Sequence, residues 1–422
     1  MEPRSTAEAS PYRPRFVDGW LDEHLPQLPA FLLVGPRAAG KTTTAVRRSA
    51  SVVRLDQPAE AGAFVADPDA AMRGLEEPVL LDEWQVVPEV LGAVKRSVDA
   101  DPSPGRFLVT GSVRAALASQ TWPGTGRLVR HVVYPMSMRE QLGRLEGRTL
   151  PDKVLAGEPL SIKGDAPDLR EYVELALTGG FPYPALGLDR GGRELWMESY
   201  IHDLIVRDIP AMESSATRGR DASRLRRFLE AYALSSAGTP TDTTIYEAAG
   251  VDRRTALAYE GLLEGLFVVE RVPAWRANRL GRLVGQAKRY VIDSALLAAA
   301  LGVGVDGVLR DGDLLGRVLD TFVAAQIRPE LAVSESRPRL HHLRTKGGER
   351  EVDMILELGG GRVIAIEVKA AAAPTEGDAR HLRWLRDELG DRFIGGILLH
   401  TGPRAFELGR DLVAAPIAAL WD

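Results

Sequence analysis

Apolar and polar positions in the first third of the chain follow a pattern that predicts strands separated by helices. The alanine-rich stretch 60–74 has helical character, and Val87, Val90, Leu91, Val94 and Val98 recur at the spacing of an amphipathic helix. Alternating strands and helices predict an α/β fold with a parallel sheet that is covered by helices on both faces. The short apolar runs that we interpret as its strands are 31–34, 52–56, 79–83, 107–110 and 129–134.

A phosphate-binding motif follows the first of these strands. Residues 35–42, the P-loop, fit G-x-x-x-x-G-K-[ST] at every fixed position and lie between an apolar strand and an expected helix, as the motif requires. The glycines allow a tight turn whose N–H groups point at phosphate oxygens, Lys41 reaches the β- and γ-phosphates, and Thr42 can bind Mg²⁺. The alternative is a glycine-containing turn that matches by chance. The expected cofactors are ATP and Mg²⁺, and the predicted nucleotide-binding residues are Gly35, Pro36, Arg37, Ala38, Ala39, Gly40, Lys41, Thr42 and Thr43.

Two acids end the third apolar run. Asp82 at the carboxyl end of a buried strand beside a P-loop is placed to support the metal ion, and Glu83, on the other side of the pleat, could prepare the attacking water. The alternative is that both acids only solvate the end of the strand. Ser112, after the fourth run, could sense the γ-phosphate or cap a helix.

Composition limits the class of protein. The chain has 422 residues, enough for two to four domains, with 45% apolar and 26% charged residues, as in globular proteins. A net charge of −5 argues against a surface that is basic throughout, and the absence of cysteine excludes disulfides and thiolate metal sites. No apolar run has the length of a signal peptide core or a membrane span. We expect a cytoplasmic protein.

Several motifs taken together resemble a family of bacterial and archaeal AAA+-like ATPases with a C-terminal DUF4143 domain. They are the P-loop, LLDEWQ (80–85), PGRFLVTGS (104–112), GGFP (179–182) and the pair Arg207-Asp208. The resemblance implies a P-loop class in which an additional strand separates the P-loop strand from the Asp-Glu strand, and residues 52–56 are the expected inserted strand.

The same resemblance makes Arg207 the candidate arginine finger or sensor. Arg127 and Arg130 compete with it for this role. Relatives often work as rings in which an arginine is supplied by a neighbouring subunit. With no single finger identified, a monomer and a homo-oligomer both remain open.

Residues 221–300 have a different pattern. A helix, a turn at Gly250, an expected N-cap at Asp252 and a second helix with early arginines predict a helix-turn-helix, with a strand at 266–272 as a wing. Next to Trp275 lies a basic stretch without acids, which suits a DNA or RNA backbone. The alternative is an internally packed scaffold. The members of this basic stretch are Arg271, Arg276, Arg279, Arg282, Lys288 and Arg289.

The C-terminal region carries a second candidate site. Segments 341–344, 350–356 and 362–369 look like successive strands, and Glu367 and Lys369 lie two residues apart, hence on one face. With Asp353 they form D-x₁₃-E-x-K, which resembles the core of the PD-(D/E)xK nucleases, in which two acids bind Mg²⁺ and the lysine activates water. Asp320 matches a further acidic position. The alternative is a surface Glu–Lys pair on an edge strand.

These observations lead to one preferred hypothesis and two alternatives. We predict an ATPase whose hydrolysis repositions the C-terminal domains relative to the ATPase core. An ATP-regulated, metal-dependent nuclease and a nucleotide-controlled DNA-binding regulator remain open. The predicted domains are a P-loop domain (1–145), a helical lid (146–215), a winged-helix-like domain (216–304) and a nuclease-like, restriction-endonuclease-like α/β domain (305–422).

Overall fold

The computed structural model describes residues 12–113, 125–209, 222–275 and 285–422. Its first sheet is parallel, with the strand order β2–β3–β4–β1–β5. Strands separated by helices were expected from the hydrophobic pattern, and the α/β fold with a P-loop strand inside the sheet is confirmed. The strands are β1 (Ala30–Val34), β2 (Ser51–Arg54), β3 (Val79–Asp82), β4 (Phe107–Gly111) and β5 (Val129–Val132).

Helices cover both faces of this sheet because neighbouring residues of a strand point to opposite sides. Leu32 and Val34 pack with the helices on one face, and Phe31 and Leu33 pack with those on the other. The first face is covered by α3 (Pro58–Ala66) and α5 (Val90–Ala100), with α4 (Pro68–Met72) between them in the chain, and the second by α1 (Phe16–His24) and α2 (Lys41–Val46).

The strand inserted beside the P-loop strand is β4, so the assignment of residues 52–56 to this position was wrong. Ala30 of β1 and Val79 of β3 both pair with Phe107, which places β4 between them. Strand β2 pairs with β3 and lies at the edge of the sheet formed by the described strands. Order along the chain does not determine order in a parallel sheet, because every strand is reached through a crossover.

A group of helices follows the first sheet. The first part of the predicted helical lid contains a helix that begins at Leu150 with Pro151 in its first turn, a position that tolerates proline. The helices are α6 (Met138–Leu142), α7 (Leu150–Leu155), α8 (Leu169–Thr178), α9 (Pro182–Gly187) and α10 (Arg190–Asp203), which continues into a π-helix (Leu204–Asp208).

The predicted pair of helices around Gly250 is present. Gly250 has φ 64°, and the Asp252 side chain accepts a hydrogen bond from the Thr255 N–H at 3.0 Å, which caps the second helix. An antiparallel pair of strands follows, and the first of them lies within the predicted wing. The elements are α11 (Ala222–Leu234), α12 (Asp242–Ala249), α13 (Arg253–Gly265), β6 (Val269–Val272), β7 (Lys288–Val291) and α14 (Ser294–Leu301).

The C-terminal region forms a mixed six-stranded sheet with the order β12–β13–β11–β10–β9–β8. The three predicted strands are β8 to β10, and β9 pairs antiparallel with both β8 and β10. The elements are α15 (Val305–Arg310), α16 (Gly312–Val333), β8 (Arg339–Arg344), β9 (Glu351–Glu357), β10 (Val363–Lys369), α17 (Arg380–Leu389), β11 (Phe393–His400), β12 (Phe406–Gly409) and β13 (Leu412–Pro416).

One hydrophobic core runs from the helices after the first sheet to the end of the chain. It includes Tyr172 of α8, Tyr259 of α13, Leu296 of α14 and Met354 of β9. The predicted boundary at residues 304 and 305 therefore does not coincide with a break in packing. Among the described residues, no helix combines the length and the apolar character needed to cross a bilayer.

Candidate functional site

The P-loop has the backbone shape that phosphate binding requires. Gly35 has φ 153°, and a Cβ placed on it would lie 2.2 Å from the carbonyl oxygen of Val133. Gly40 has φ 92° and directly precedes α2. Side chains at these two positions would strain the turn or clash with the neighbouring backbone. The loop and the start of the following helix thus have the backbone geometry on which the predicted anion site depends.

Lys41 is buried against this loop. Its Nζ donates hydrogen bonds to the carbonyl oxygens of Gly35, at 3.1 Å, and Pro36, at 2.7 Å. Burial lowers the pKa of Lys41 from 10.5 to about 8, although Glu83 and Asp82 act in the opposite direction. The ammonium is therefore held at the inner side of the loop, where a polyphosphate would be its counter-ion.

Thr42 and Asp82 meet as the sequence predicts. The Thr42 Oγ1 donates a hydrogen bond to Asp82 Oδ1 at 2.8 Å, and the Thr110 hydroxyl donates to the same oxygen. Thr110 belongs to β4, the inserted strand, and was not identified from the sequence. A hydroxyl beside a carboxylate is the kind of oxygen donor set that Mg²⁺ prefers, so these residues fit the metal that the motif implies.

Glu83 lies just after the strand, and its backbone has φ 56°. This left-handed conformation turns its side chain toward the next strand, where Glu83 Oε1 accepts a hydrogen bond from the Ser112 hydroxyl at 3.4 Å. The Gln85 amide also donates to the Glu83 carboxylate. A helix that Ser112 could cap would begin within 114–124, outside the described residues.

The segment before the first strand contributes a residue that sequence reasoning missed. The buried Arg15 guanidinium donates to the Ala39 carbonyl at 3.0 Å and the Tyr134 carbonyl at 2.9 Å, and it pairs with Glu140 at 2.9 Å. Arg15 thus joins the P-loop to the end of β5 and to α6. Nothing near Arg15 in the sequence indicates these partners, because they lie 24 to 125 residues away.

The π-helix approaches the P-loop from the side of the helical group. Arg37 of the loop forms an ion pair with Asp208 at 3.0 Å, and a cleft of about 240 Å³ lies between the two segments. Arg207 lines this cleft with Arg37 and Ala38, but its side chain is 76% exposed and contacts Asp203 only at 4.0 Å. Arg207 is therefore near the predicted nucleotide and remains a candidate sensor.

The other two candidate arginines lie elsewhere. Arg127 precedes β5, at the opposite end of the strands from the P-loop, and pairs with Asp99 at 2.7 Å. Arg130 lies on β5, the edge strand next to β1, where it is paired with Leu32, and its guanidinium lies over the Phe267 ring at 5.9 Å. Neither position reaches the P-loop of the same chain.

The C-terminal acids form a second cluster. Glu367 and Lys369 lie on one face of β10, as predicted, with 2.7 Å between Lys369 Nζ and Glu367 Oε1. Strand β10 lies between β9 and β11, and Glu367 is buried, so the alternative of a surface pair on an edge strand is wrong. Asp353 of β9 accepts a hydrogen bond from the Val368 N–H at 2.9 Å.

Lys288 occupies the centre of this cluster. Its Nζ lies 2.5 Å from Asp320 Oδ2 and 2.9 Å from Asp353 Oδ1. Sequence reasoning placed Lys288 in a basic stretch and did not connect it with the acids. Within the described ranges, no three His, Asp or Glu side chains are grouped so as to hold a metal ion, although Asp320, Asp353 and Glu367 were predicted as ligands.

Three family models match successive parts of the chain. An AAA domain covers residues 27–142, the domain of unknown function DUF8612 covers 169–306, and the domain of unknown function DUF4143 covers 315–420. The chain carries an AAA domain and a C-terminal DUF4143 domain. The match to DUF8612 was not predicted from the sequence.

Two relatives that match most of the chain come from mycobacteria. The uncharacterized proteins Rv2008c of Mycobacterium tuberculosis and Mb2031c of Mycobacterium bovis are each 28% identical over 400 residues, which cover 93% of this chain and 81% of each relative. Among solved structures, a point mutant of RuvB from Thermotoga maritima has 17% identity and a TM-score of 0.28, with 65% of this chain and 88% of that chain covered. AMPPCP-bound DnaA from Aquifex aeolicus has 15% identity and a TM-score of 0.21, with coverages of 59% and 86%.

Two of the three described cations of the basic stretch between the AAA and DUF4143 domains are turned inward and do not contribute to a basic surface. Lys288 and Arg289 are buried, and Arg289 pairs with Glu260 at 3.1 Å and also with Asp242. Arg271 lies 3.7 Å from Glu260, and Trp275 is buried in the core with residues of the DUF4143 sheet. Acids from distant segments neutralise these cations, which a local count of charge could not show. Three further members of the stretch, Arg276, Arg279 and Arg282, lie outside the described residues.

Proposed function

We propose that the protein binds and hydrolyses ATP with Mg²⁺ at the P-loop of its AAA domain. The observation that carries this proposal is the 2.8 Å contact between Thr42 and Asp82, since it joins the end of the P-loop to the acidic end of β3. A chance glycine turn would not require a hydroxyl and a carboxylate from segments 40 residues apart to meet.

Each residue of the P-loop site has a separate role in the proposed reaction. The backbone N–H groups of the P-loop and the Lys41 ammonium bind the phosphates, while Thr42 and Asp82 would hold Mg²⁺. When bound, this ion supplies charge neutralisation of the transferred phosphoryl group. Glu83, oriented by Ser112 and Gln85, accepts a proton from the attacking water or positions that water for attack.

Coupling to the rest of the molecule is proposed to run through the π-helix. Arg37 has two competing partners, the Asp208 carboxylate and the phosphates of a bound nucleotide. A shift of Arg37 toward the nucleotide would release Asp208 and the helices before it. Those helices share a hydrophobic core with the DUF4143 domain, so the two would move as one body relative to the AAA sheet.

The proposal is tested with Lys41→Ala and Glu83→Gln. We expect Lys41→Ala to lose ATP binding in calorimetry, since it removes the buried ammonium at the inner side of the loop. Glu83→Gln is expected to keep binding and to lower the hydrolysis rate by about a hundredfold or more, as for loss of a general base.

The control is Lys95→Ala, which removes a lysine that pairs with Asp99 on the surface of α5. It should leave both measurements unchanged. Undiminished hydrolysis by Glu83→Gln would assign the water-activating role to another residue, and undiminished ATP binding by Lys41→Ala would contradict the proposal itself.

A further inference from the structure

The acid cluster of the DUF4143 domain contains a cation that comes from the protein itself. Lys288 belongs to β7, in the segment before this domain, and its side chain is only 2% exposed. Besides the two aspartate oxygens, its Nζ lies 3.4 Å from the backbone carbonyl of Asp353. The three N–H donors of an ammonium can all be used by these partners.

The remaining aspartate oxygens are also occupied. Tyr290, two residues after Lys288 on the same strand, donates its hydroxyl to Asp320 Oδ1 at 2.8 Å. Asp353 Oδ2 accepts the hydrogen bond from the Val368 N–H. Each oxygen of the two aspartates therefore already has a protein donor, and the Lys288 ammonium occupies the position between the two carboxylates that a bridging divalent ion would need.

The charges agree with this arrangement. Burial is the largest single influence and would lower the pKa of Lys288 and raise that of Asp353, but the attractions and hydrogen bonds within the cluster together shift both in the opposite directions, with Asp320 and then Asp353 acting most strongly on Lys288. Burial raises the pKa of Asp320 to about 7 despite its contact with Lys288. Burial, together with the neighbouring Asp353, raises the pKa of Glu367 to about 8. Lys288 thus supplies charge that a metal ion would otherwise supply.

The acid cluster is open to solvent, so a closed site is not what keeps a metal ion out. The cluster opens onto a cleft of about 750 Å³ that is lined by Asp320, Asp353, Glu367 and Lys369, with Arg344 and Arg380 at its sides. Glu367 Oε2, which is buried, has no hydrogen-bond partner in the described structure. An ion from solvent could reach this cleft, and the position between the aspartates is the one that Lys288 holds.

From these contacts we infer that Lys288 is the resident cation of the acid cluster and replaces a divalent metal ion there. The residues therefore do not fit the metal site that D-x₁₃-E-x-K implies. The cluster joins the segment before the DUF4143 domain to its sheet, and it does not assemble a metal-dependent phosphodiester-cleaving centre.

The test measures Mn²⁺ binding to the nucleotide-free protein of 422 residues. Calorimetry and the electron paramagnetic resonance signal of free Mn²⁺ detect the binding. Wild type and Asp353→Asn should give the same titration, because the wild-type cluster binds no Mn²⁺. Lys288→Ala should gain one Mn²⁺ site, and the double variant Lys288→Ala/Asp353→Asn should lose it. Any Mn²⁺ binding at the P-loop is common to all four proteins and cancels in the comparison.

Two results would overturn the inference. One is Mn²⁺ binding by wild type that Asp353→Asn or Glu367→Gln abolishes, and this comparison stands even if Lys288→Ala does not fold. The other is a folded Lys288→Ala protein that gains no site.

A second measurement compares DNA and RNA degradation in Mg²⁺ or Mn²⁺ by wild type and Lys369→Ala. We expect the same background from both, and cleavage that requires Lys369 would contradict the inference.

Discussion

Two buried lysines of this protein have opposite electrostatic environments. The hydrogen bonds of Lys41 go to backbone carbonyl oxygens, and burial lowers its pKa to about 8. Lys288 contacts two carboxylates, which raise its pKa despite burial. A buried ammonium without a carboxylate in contact is costly, whereas one between two carboxylates is compensated. We therefore expect Lys41 to favour an anionic ligand, whereas the charge of Lys288 is already balanced by the two carboxylates.

The lowered pKa of Lys41 predicts a pH dependence of ATP binding. The charged ammonium binds phosphate, and its charge is lost as the pH rises through about 8. We expect ATP affinity to be nearly constant from pH 6 to 7 and to be about tenfold weaker at pH 9, with proton uptake on binding. Calorimetry at pH 7 and pH 9 measures the change in affinity, and titrations at pH 9 in two buffers of different ionisation enthalpy measure the proton uptake. Equal affinity at pH 7 and pH 9, without proton uptake, would contradict this prediction.

At the scale of elements, the contact between the P-loop and the π-helix is the feature most closely tied to function. A π-helix adds a residue to the turn and is often found where a helix carries a functional side chain. Here it presents Asp208 to Arg37, and burial raises the pKa of Asp208. The same segment brings Arg207 to the cleft beside the P-loop.

A double-mutant cycle on Arg37 and Asp208 tests this contact. Arg37→Ala and Asp208→Ala should each change the rate of ATP hydrolysis, and the double variant should differ from additivity by about 0.5–1 kcal/mol, the usual range for a partly exposed pair. Steady-state ATPase assays provide the rates. The matched control is Arg190 and Glu194, an exposed pair at 2.9 Å on α10, for which we expect no coupling. Additive effects for Arg37 and Asp208 would exclude the proposed coupling route.

At the scale of the whole molecule, similarity to family models and physical packing divide the chain differently. The DUF4143 match begins at residue 315, close to the predicted boundary at 305. The hydrophobic core, however, continues across this boundary, with Leu296 and Val318 in the same cluster. Trp275 also donates its backbone N–H to the carbonyl oxygen of His342 at 2.5 Å, which joins the segment before the boundary to β8.

This packing predicts that residues 305–422 do not fold alone. The isolated fragment would expose the apolar surface that α14 and its neighbours cover, and it would leave Asp320 and Asp353 without Lys288. Fragment 134–422 keeps these partners and should be folded. Circular dichroism and amide dispersion in NMR spectra compare the two fragments. A cooperatively folded 305–422 would show that the shared core is not required.

The sequence by itself determined the features that depend on residues close together in the chain. The P-loop, the acids at the end of β3, the capped helix at Asp252 and the Glu367–Lys369 pair follow from local spacing and strand period. Only the tertiary structure decided the position of β4, the partners of Arg15 and the burial of Lys288 and Arg289. Lys288 meets acids 32 and 65 residues away, and such meetings depend on how helices and strands pack, which no local pattern encodes.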